Sequence, residues 1–422
     1  MSPVRNLTKL WHRPDNVPAL TRPARLFVLG NSVSALGSGL AMPYFAIFLL
    51  GVHGGSVGAV GVLAIISVVD VVTQRVLASP LEQRLGSRLP AIAGCWAQAA
   101  GWTLMALSAV QWQVFLCAAA IGVGNALFFS VRINLQMEVV DEAAHSYAFS
   151  LRYLLGNVGM MLGGVIGGAT VSWLGSGGIK VLLLANSATF VVFALILTMA
   201  VPPSGPVPAP GTQRTEKEHA TPHRWNGRLT GLVAGYFCIV AAGLVQFEAV
   251  LPLQLTRHGD MAPSMAGYLF SAFALSTVAL QMPVSRLSTR LGGLNSIRAL
   301  AAAWTAGAAI LWASQTAPPL LHGTAIVLGT LTLAFGECFF SPAVPSLLKT
   351  QDTELRRRTG SLVASAHSLG QFIGPSIGII LVTHSDTALY GLVAVGAVIA
   401  ATAIRPLSTA PVQRAAGEKA PA

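Results

Sequence analysis

Three acids stand inside long apolar stretches of this 422-residue chain: Asp70, Glu248 and Glu337. A charge at the centre of a bilayer-spanning helix costs about 2.5–3.5 kcal/mol on insertion scales, so it usually faces a cavity and has a role there. A carboxyl that passes between dry and wet surroundings, or gains and loses a cationic neighbour, binds a proton in one state and releases it in the other. All three are therefore candidates for proton coupling. Glu337 ranks first because it lies well inside its stretch and its counterpart in an internal repeat, Asn125, is also polar. The plainer alternative is a neutral acid bonded to a neighbouring helix. Arg75 follows Asp70 in the same stretch, about 140° round a helix and about 7.5 Å along it, so both could equally serve buried ion pairs. Glu248, between Gln246 and Pro252, lies nearer a stretch end and could simply reach interfacial water. His367 could carry a proton or be bonded within the bundle. Arg132 and Arg152, near stretch ends, are expected to snorkel to the surface.

The elements that must hold these groups are twelve apolar stretches, beginning near Leu26, Ser56, Leu89, Trp112, Ser150, Lys180, Leu229, Pro263, Ser296, Leu320, Ser361 and Thr387. A helix needs about 20 apolar residues to cross about 30 Å of hydrocarbon, so twelve spans use most of the chain. Composition agrees: 53% of residues are hydrophobic and 10% charged, too little charge to cover a water-soluble surface of this size. Of the 26 lysines and arginines, all but Lys180 and Arg257 fall in the two tails, the even-numbered loops and the stretch ends that flank them. Basic residues resist transfer across a bilayer, so both termini and the even loops are expected in the cytoplasm. After Val201 the apolar pattern yields to Pro202-Pro203-Ser204-Gly205-Pro206 and a polar run, a composition that buries no core and reads as a flexible linker. The expected organisation is a tail over 1–25, a six-helix bundle over 26–201, a linker over 202–228, a second bundle over 229–405 and a tail over 406–422.

Other classes fit poorly. The net charge of +11 is spread over the tails and even loops without aromatic interleaving, which suits an anionic inner leaflet better than nucleic acid. Cys95, Cys117, Cys238 and Cys338 lie singly in different spans, so no disulfide framework, metal site or cofactor is expected. No phosphate-cradling G-x-x-x-x-G-K-[ST] occurs. The nine histidines are scattered, without the clustered acid, histidine and nucleophile of a polytopic membrane enzyme. The first stretch follows a basic tail and has no small-residue cleavage site, so it is read as an uncleaved helix.

The two halves repeat. Ser79-x-Leu81-x-x-Arg84-Leu85-Gly86-Ser87 after the second stretch returns as Ser285-x-Leu287-x-x-Arg290-Leu291-Gly292-Gly293 after the eighth. Gly124-Asn125 with Phe128-Phe129-Ser130 returns as Gly336-Glu337 with Phe339-Phe340-Ser341. Gly159-x-x-x-Gly163-Gly164-x-x-Gly167 returns as Gly370-x-x-x-Gly374-Pro375-x-x-Gly378. Three matches in one order at nearly one offset indicate a duplicated six-helix unit, and parallel repeats of this kind place a substrate path between the halves. Glycines four apart line one helix face and admit a close neighbour; Pro375 removes a backbone hydrogen bond and can bend its helix. Arg84 and Arg290 can meet the negative end of a helix, and Gly86 and Gly292 suit a sharp exit. Static packing, and basic loops that merely satisfy topology, are the competing accounts. Substrate-cavity candidates are Asn31, Met42, Tyr44, Phe45, Asn125, Phe128, Phe129, Gln246, Phe247, Phe339 and Phe340, whose aromatic and flexible apolar members accept bulky amphipathic ligands but could instead pack or face lipid.

The order of these motifs resembles the major facilitator superfamily over essentially the whole chain, from Arg25 to about Arg405, and within it the bacterial drug- and metabolite-exporting proton antiporters. The family's loop signature, roughly G-x-L-x-D-R-x-G-R-R, is matched at Leu81, Arg84, Gly86 and Arg88, with Gln83 where the acid belongs, Ser79 for the first glycine and Ser87 for one arginine. Glu82 is a possible substitute for that acid. The exporter signature G-x-x-x-G-P-x-x-G-G is matched at Gly159, Gly163, Gly167 and Gly168, with Gly164 in the proline position. The arginine usual before Gly122 and Gly124 is absent, Ala118 standing there. The resemblance implies an all-α membrane fold, twelve transmembrane helices in two pseudo-symmetric six-helix bundles. It also implies a joint between the fifth helix and the other half that opens and closes. The expected function is a secondary, proton-coupled exporter of amphipathic drugs or metabolites in the bacterial inner membrane, not an enzyme. Its partners are a small-molecule substrate, protons and the bilayer, with the oligomeric state left open and a monomer admissible. The alternative is a proton symporter for sugar, peptide or another nutrient, and a membrane enzyme is the remote one.

Overall fold

A computed structural model describes residues 18–52, 55–203, 227–257, 261–348, 353–385 and 387–404. Among them the chain forms twelve helical rods and no strand. They are α1 (Arg22–Val52), α2 (Gly55–Leu85), α3 (Arg88–Leu107), α4 (Gln111–Val139), α5 (His145–Leu174), α6 (Gly177–Ala200), α7 (227–257), α8 (Met265–Leu291), α9 (Gly293–Ser314), α10 (319–348), α11 (Thr353–His384) and α12 (Ala388–Ala403). Lipid offers no partner to backbone N–H and C=O groups, so each span satisfies them within itself. Eight of these rods are long and apolar enough by themselves to cross a bilayer, and parts of α7, α11 and α12 form shorter apolar helices.

Local chemistry sets the ends and irregularities. Gly86 (φ 75°) and Gly292 (φ 77°) end α2 and α8 in a backbone region that glycine enters freely. Each amide bonds back to the carbonyl four residues earlier, Glu82 and Ser288 respectively, at 2.9 Å. The paired Leu-Gly exits of the repeat are thus built alike. π-helical turns occur at Gln74–Ala78 in α2 and at Gln246–Val250 in α7. Each stops two residues before a proline, Pro80 and Pro252. A proline offers no N–H and crowds the preceding turn, and a widened turn accommodates that defect. α4 and α10 both break beside their Phe-Phe pairs, at Ser130–Val131 and at Cys338–Phe339, so the duplication extends to the interruptions.

Packing divides the chain into two compact units. The first takes in Met1–Ala220, Leu244–Ala279 and Gln371–Leu389; the second takes in Thr221–Gly243, Leu280–Gly370 and Tyr390–Ala422. In the first, α1 packs on α5 and α6, α3 on α4 and α6, and α2 on α4. In the second, α9 packs on α10, the counterpart of α3 on α4. Buried Trp304 of α9 fills the space left by Gly336 of α10 and Gly243 of α7. Its indole N–H donates to the Leu333 carbonyl at 3.1 Å, which satisfies the one polar atom this large side chain buries.

Candidate substrate and coupling site

The glycines of α5 form two faces, and the two have different neighbours. Gly159, Gly163 and Gly167 lie against α1, where a Cβ would strike the backbone of Ser32 and Leu36, of Leu36 and Leu40, and the ring of Tyr44. This stripe therefore joins α5 to its own bundle rather than to the other half. The joint to α8 is made by Gly164, which meets Gly267 and Ser271, and by Gly168, which meets Ser264 and Tyr268. In the repeat, Gly370 and Gly378 of α11 lie against Val240 and Gln246 of α7, so α7–α11 mirrors α1–α5. Buried Gln246 donates its amide to the Gly374 carbonyl at 2.7 Å, one residue before the buried Pro375. Sequence periodicity found the first stripe; Gly164 and Gly168, one residue on, carried the signal of the second.

Several cavity candidates are held by packing or hydrogen bonds within the bundle. Tyr44 is fully buried; its hydroxyl donates to the Ser264 carbonyl (3.2 Å) and accepts from the Gly267 N–H (3.1 Å). It thereby satisfies one of the free N–H groups at the start of α8. Ser271, one turn on, donates to the Met161 or the Gly267 carbonyl, each 2.8 Å away. Phe45 stacks edge-on against Trp102, Phe247 is buried against Phe273, and Asn31 is buried facing Gly156. Asn125 accepts from Gln98, which accepts in turn from Trp102 at 2.9 Å, a polar chain between α3 and α4. Met42 lies on an exposed face of α1.

The Phe-Phe pairs split their work the same way in both halves. Phe128 is core, against Phe193, which also meets Phe27, while Phe339 is core against Phe335. Phe129 is exposed and lies under the Arg132 guanidinium, 4.9 Å from ring centroid to Cζ. Phe340 is half-buried beside Tyr236, whose hydroxyl lies 3.3 Å from His367 Nδ1. Tyr236 was not among the sequence candidates; the start of α7 repeats the start of α1, which sets Tyr236 in the place of Asn31.

Of the coupling candidates, Asp70 is half-buried in α2, its backbone against Gly122 of α4, and Arg75 is exposed in the π turn that follows. Among the described residues, neither makes an ion pair. Glu337 is half-buried and closes the longer part of α10, immediately before its break. Glu248 stands in the π turn of α7; its side chain lies outside the described residues. Arg132 and Arg152 do not simply reach outward, because the Nε of each is buried without a hydrogen-bond partner.

The loop after α2 is tied down through Glu82, the acid beside the signature's Gln83, and Arg88, one of its matched residues. Glu82 accepts from Asn134 (2.8 Å) and from the buried Ser87 hydroxyl (2.9 Å), and Glu138 lies 2.6 Å from that same hydroxyl. Glu82 thus binds the end of α2 to the end of α4. Arg88 donates to the carbonyls of Leu197 and Thr198, capping the negative end of α6. Arg84 and Arg290 are exposed. A cavity of about 540 Å³ opens at the far ends of the helices, lined by Leu50, Ser56, Leu253, Thr256, Pro263 and His384 among others. None of the coupling or substrate candidates lines it.

Comparison with known proteins agrees with this architecture. The family model of the Major Facilitator Superfamily matches residues 27–348 and, in an overlapping placement, 232–421. An uncharacterized MFS-type transporter, YqjV of Bacillus subtilis (strain 168), is 20% identical over 360 residues, covering 83% of this chain and 84% of that one. Among solved structures, the nucleoside transporter NupG aligns with a TM-score of 0.69 at 12% identity, over 91% of this chain and 98% of its own. A peptide transporter, POT, aligns with a TM-score of 0.67 at 14% identity, over 92% and 96%. The fold is shared with both. With its twelve helices, its duplicated motifs and a family match over most of its length, this chain belongs to the major facilitator superfamily of membrane transporters.

Proposed function

We propose that the chain is a proton-coupled exporter of amphipathic small molecules, acting by alternating access in the bacterial cytoplasmic membrane with both termini in the cytoplasm. The observation that carries this reading is the second glycine face of α5. Gly164 and Gly168 let the start of α8 approach α5 closely, Gly164 against Gly267 and Ser271, Gly168 against Ser264 and Tyr268. The bonds at this joint, from Ser271 to the Met161 carbonyl and between Tyr44 of α1 and the Ser264 and Gly267 backbone, use only hydroxyls and backbone groups. Water can replace such partners when the helices part, so opening strands no buried charge. The exporter-like glycine signature lies on this helix, and Asp70 and Glu337 supply half-buried carboxyls for the proton. Phe129, exposed, and Phe340, half-buried at the equivalent place in the repeat, offer aromatic surface to a bulky substrate.

Uptake of a nutrient by proton symport is the second reading, supported by the fold shared with nucleoside and peptide transporters. Everted vesicles with an imposed acid interior separate the two. Export predicts that dyes or antibiotics accumulate inside them, with collapse of the proton gradient abolishing the accumulation. Accumulation in right-side-out vesicles with an acid exterior, and none in everted ones, would overturn the export reading.

A further inference from the structure

We infer that Arg132 and Arg152 form an anion-binding site within the first unit, which takes the carboxylate, phosphate or sulfonate group of an amphipathic aromatic substrate. The inference rests on the export reading for the identity of that ligand as cargo. Arg132 opens the last segment of α4, its guanidinium 4.9 Å from the Phe129 centroid and 6.0 Å from that of Phe128. Arg152 lies over Phe149 in the first turns of α5, at 5.5 Å. His145 Nε2 at the start of α5 lies 3.2 Å from the Met137 carbonyl and 2.9 Å from the Val140 carbonyl at the end of α4, so the two arginine-bearing segments are tied to each other. Both Nε atoms are buried without a partner, and among the described residues neither guanidinium has a hydrogen bond or an ion pair. Of the acids at the same helix ends, Glu82 accepts from Asn134, Ser87 donates its one hydroxyl hydrogen to Glu82 or Glu138, and Asp141 and Glu142 are exposed.

Stacking on an aromatic face holds a guanidinium in place without using its N–H donors. Its planar fork then matches a carboxylate or phosphate in bidentate fashion. Two such forks of like charge with spare donors are relieved by one anion, which supplies the missing charge and the missing acceptors together. The exposed Phe129 ring beside Arg132 adds a surface for the apolar part of the same molecule. Both arginines lie on the side of the basic loops, where an exporter loads its cargo. An anionic lipid headgroup carries the same chemistry and could reach the same place.

The test uses the full chain and the probe pair naphthoate and naphthamide, alike in shape but differing in charge. Purified protein in a neutral detergent should bind naphthoate at least about tenfold more tightly than naphthamide, read by thermal shift and equilibrium dialysis. Arg132→Gln and Arg152→Gln should each lose that preference while naphthamide binding stays. Arg132→Lys and Arg152→Lys keep the charge but not the fork, and should retain part of it; they also serve if a glutamine variant fails to fold. Equal binding of both probes by the parent, or an unchanged preference in the variants, overturns the site. Proteoliposomes of phosphatidylcholine with and without phosphatidylglycerol distinguish the ligand's source. Exchange of naphthoate in both supports cargo; loss of the preference with phosphatidylglycerol, and no exchange, assigns the arginines to lipid and overturns the substrate role. Binding is read without a gradient, so failure of proton-driven export would leave this result intact, and the converse also holds.

Discussion

Glu337→Gln keeps the size and hydrogen bonding of the acid while removing its titration. If Glu337 carries the coupling proton, the variant should still bind and exchange substrate but fail to concentrate it, and the pH dependence of transport should flatten. Vesicle accumulation across a range of pH measures this. Full pumping by Glu337→Gln beside failure of Asp70→Asn would move the role to Asp70, whose carboxyl has no ion-pair partner among the described residues. Arg88 gives a second prediction, about stability. Its donors cap two carbonyls at the end of α6, so Arg88→Ala should cost about 1–2 kcal/mol in thermal unfolding while Arg88→Lys recovers part. At this scale the sequence was informative about which polar groups lie in the spans and much less about where they point. A soluble helix declares its buried face by its apolar stripe, but a span is apolar all round, so that signal is lost. Residue type accordingly marks Tyr44, Phe128 and Gln246 as cavity candidates without distinguishing that role from packing, and each is buried among packed helices.

The two faces of α5 make different demands on glycine, and substitution should separate them. A Cβ at Gly163 would meet the backbone of Leu36 and Leu40, which cannot turn aside. Gly163→Ala should therefore lower the unfolding free energy by about 1–3 kcal/mol, as overpacking does, whatever the transporter is doing. At Gly164 the obstacles belong to α8, the Ser271 hydroxyl and the Gly267 carbonyl. If that joint opens during transport, Gly164→Ala should leave the protein folded and slow turnover instead. Thermal unfolding in detergent set beside transport rate gives the comparison; equal destabilisation by both variants would mean that the α5–α8 contact is as permanent as the α1–α5 contact. Elements themselves were legible. The repeated Leu-Gly exits, the paired Phe-Phe breaks and the matching α1–α5 and α7–α11 stripes all follow from motifs visible in one chain. The partner of each glycine face was not, because a spacing of four fixes a face without naming what lies against it.

At the scale of the whole molecule, the charges and the fold make separate contributions. The fold supplies twelve rods and a family, and neither orients the chain in a membrane. Orientation rests on the basic residues, of which only Lys180 and Arg257 fall on the minority side. The prediction is that a reporter fused after Ala422 and a cysteine placed within 202–228 both report the cytoplasm. The tail and linker are the right places to ask, because the linker carries Arg214, Lys217, Arg224 and Arg228, the tail carries Arg414 and Lys419, and neither has a long apolar run that could re-enter the bilayer. Labelling of the linker cysteine by an impermeant reagent in intact cells would reverse the orientation. It would also move Arg132 and Arg152 to the outer mouth, where an importer rather than an exporter loads. A cysteine introduced at Ser176, in the short turn between α5 and α6 four residues before Lys180, supplies the opposite control: it should label in intact cells. Agreement of all three positions is needed, since an odd number of crossings between linker and tail would leave each half plausible alone and the twelve-rod arrangement wrong.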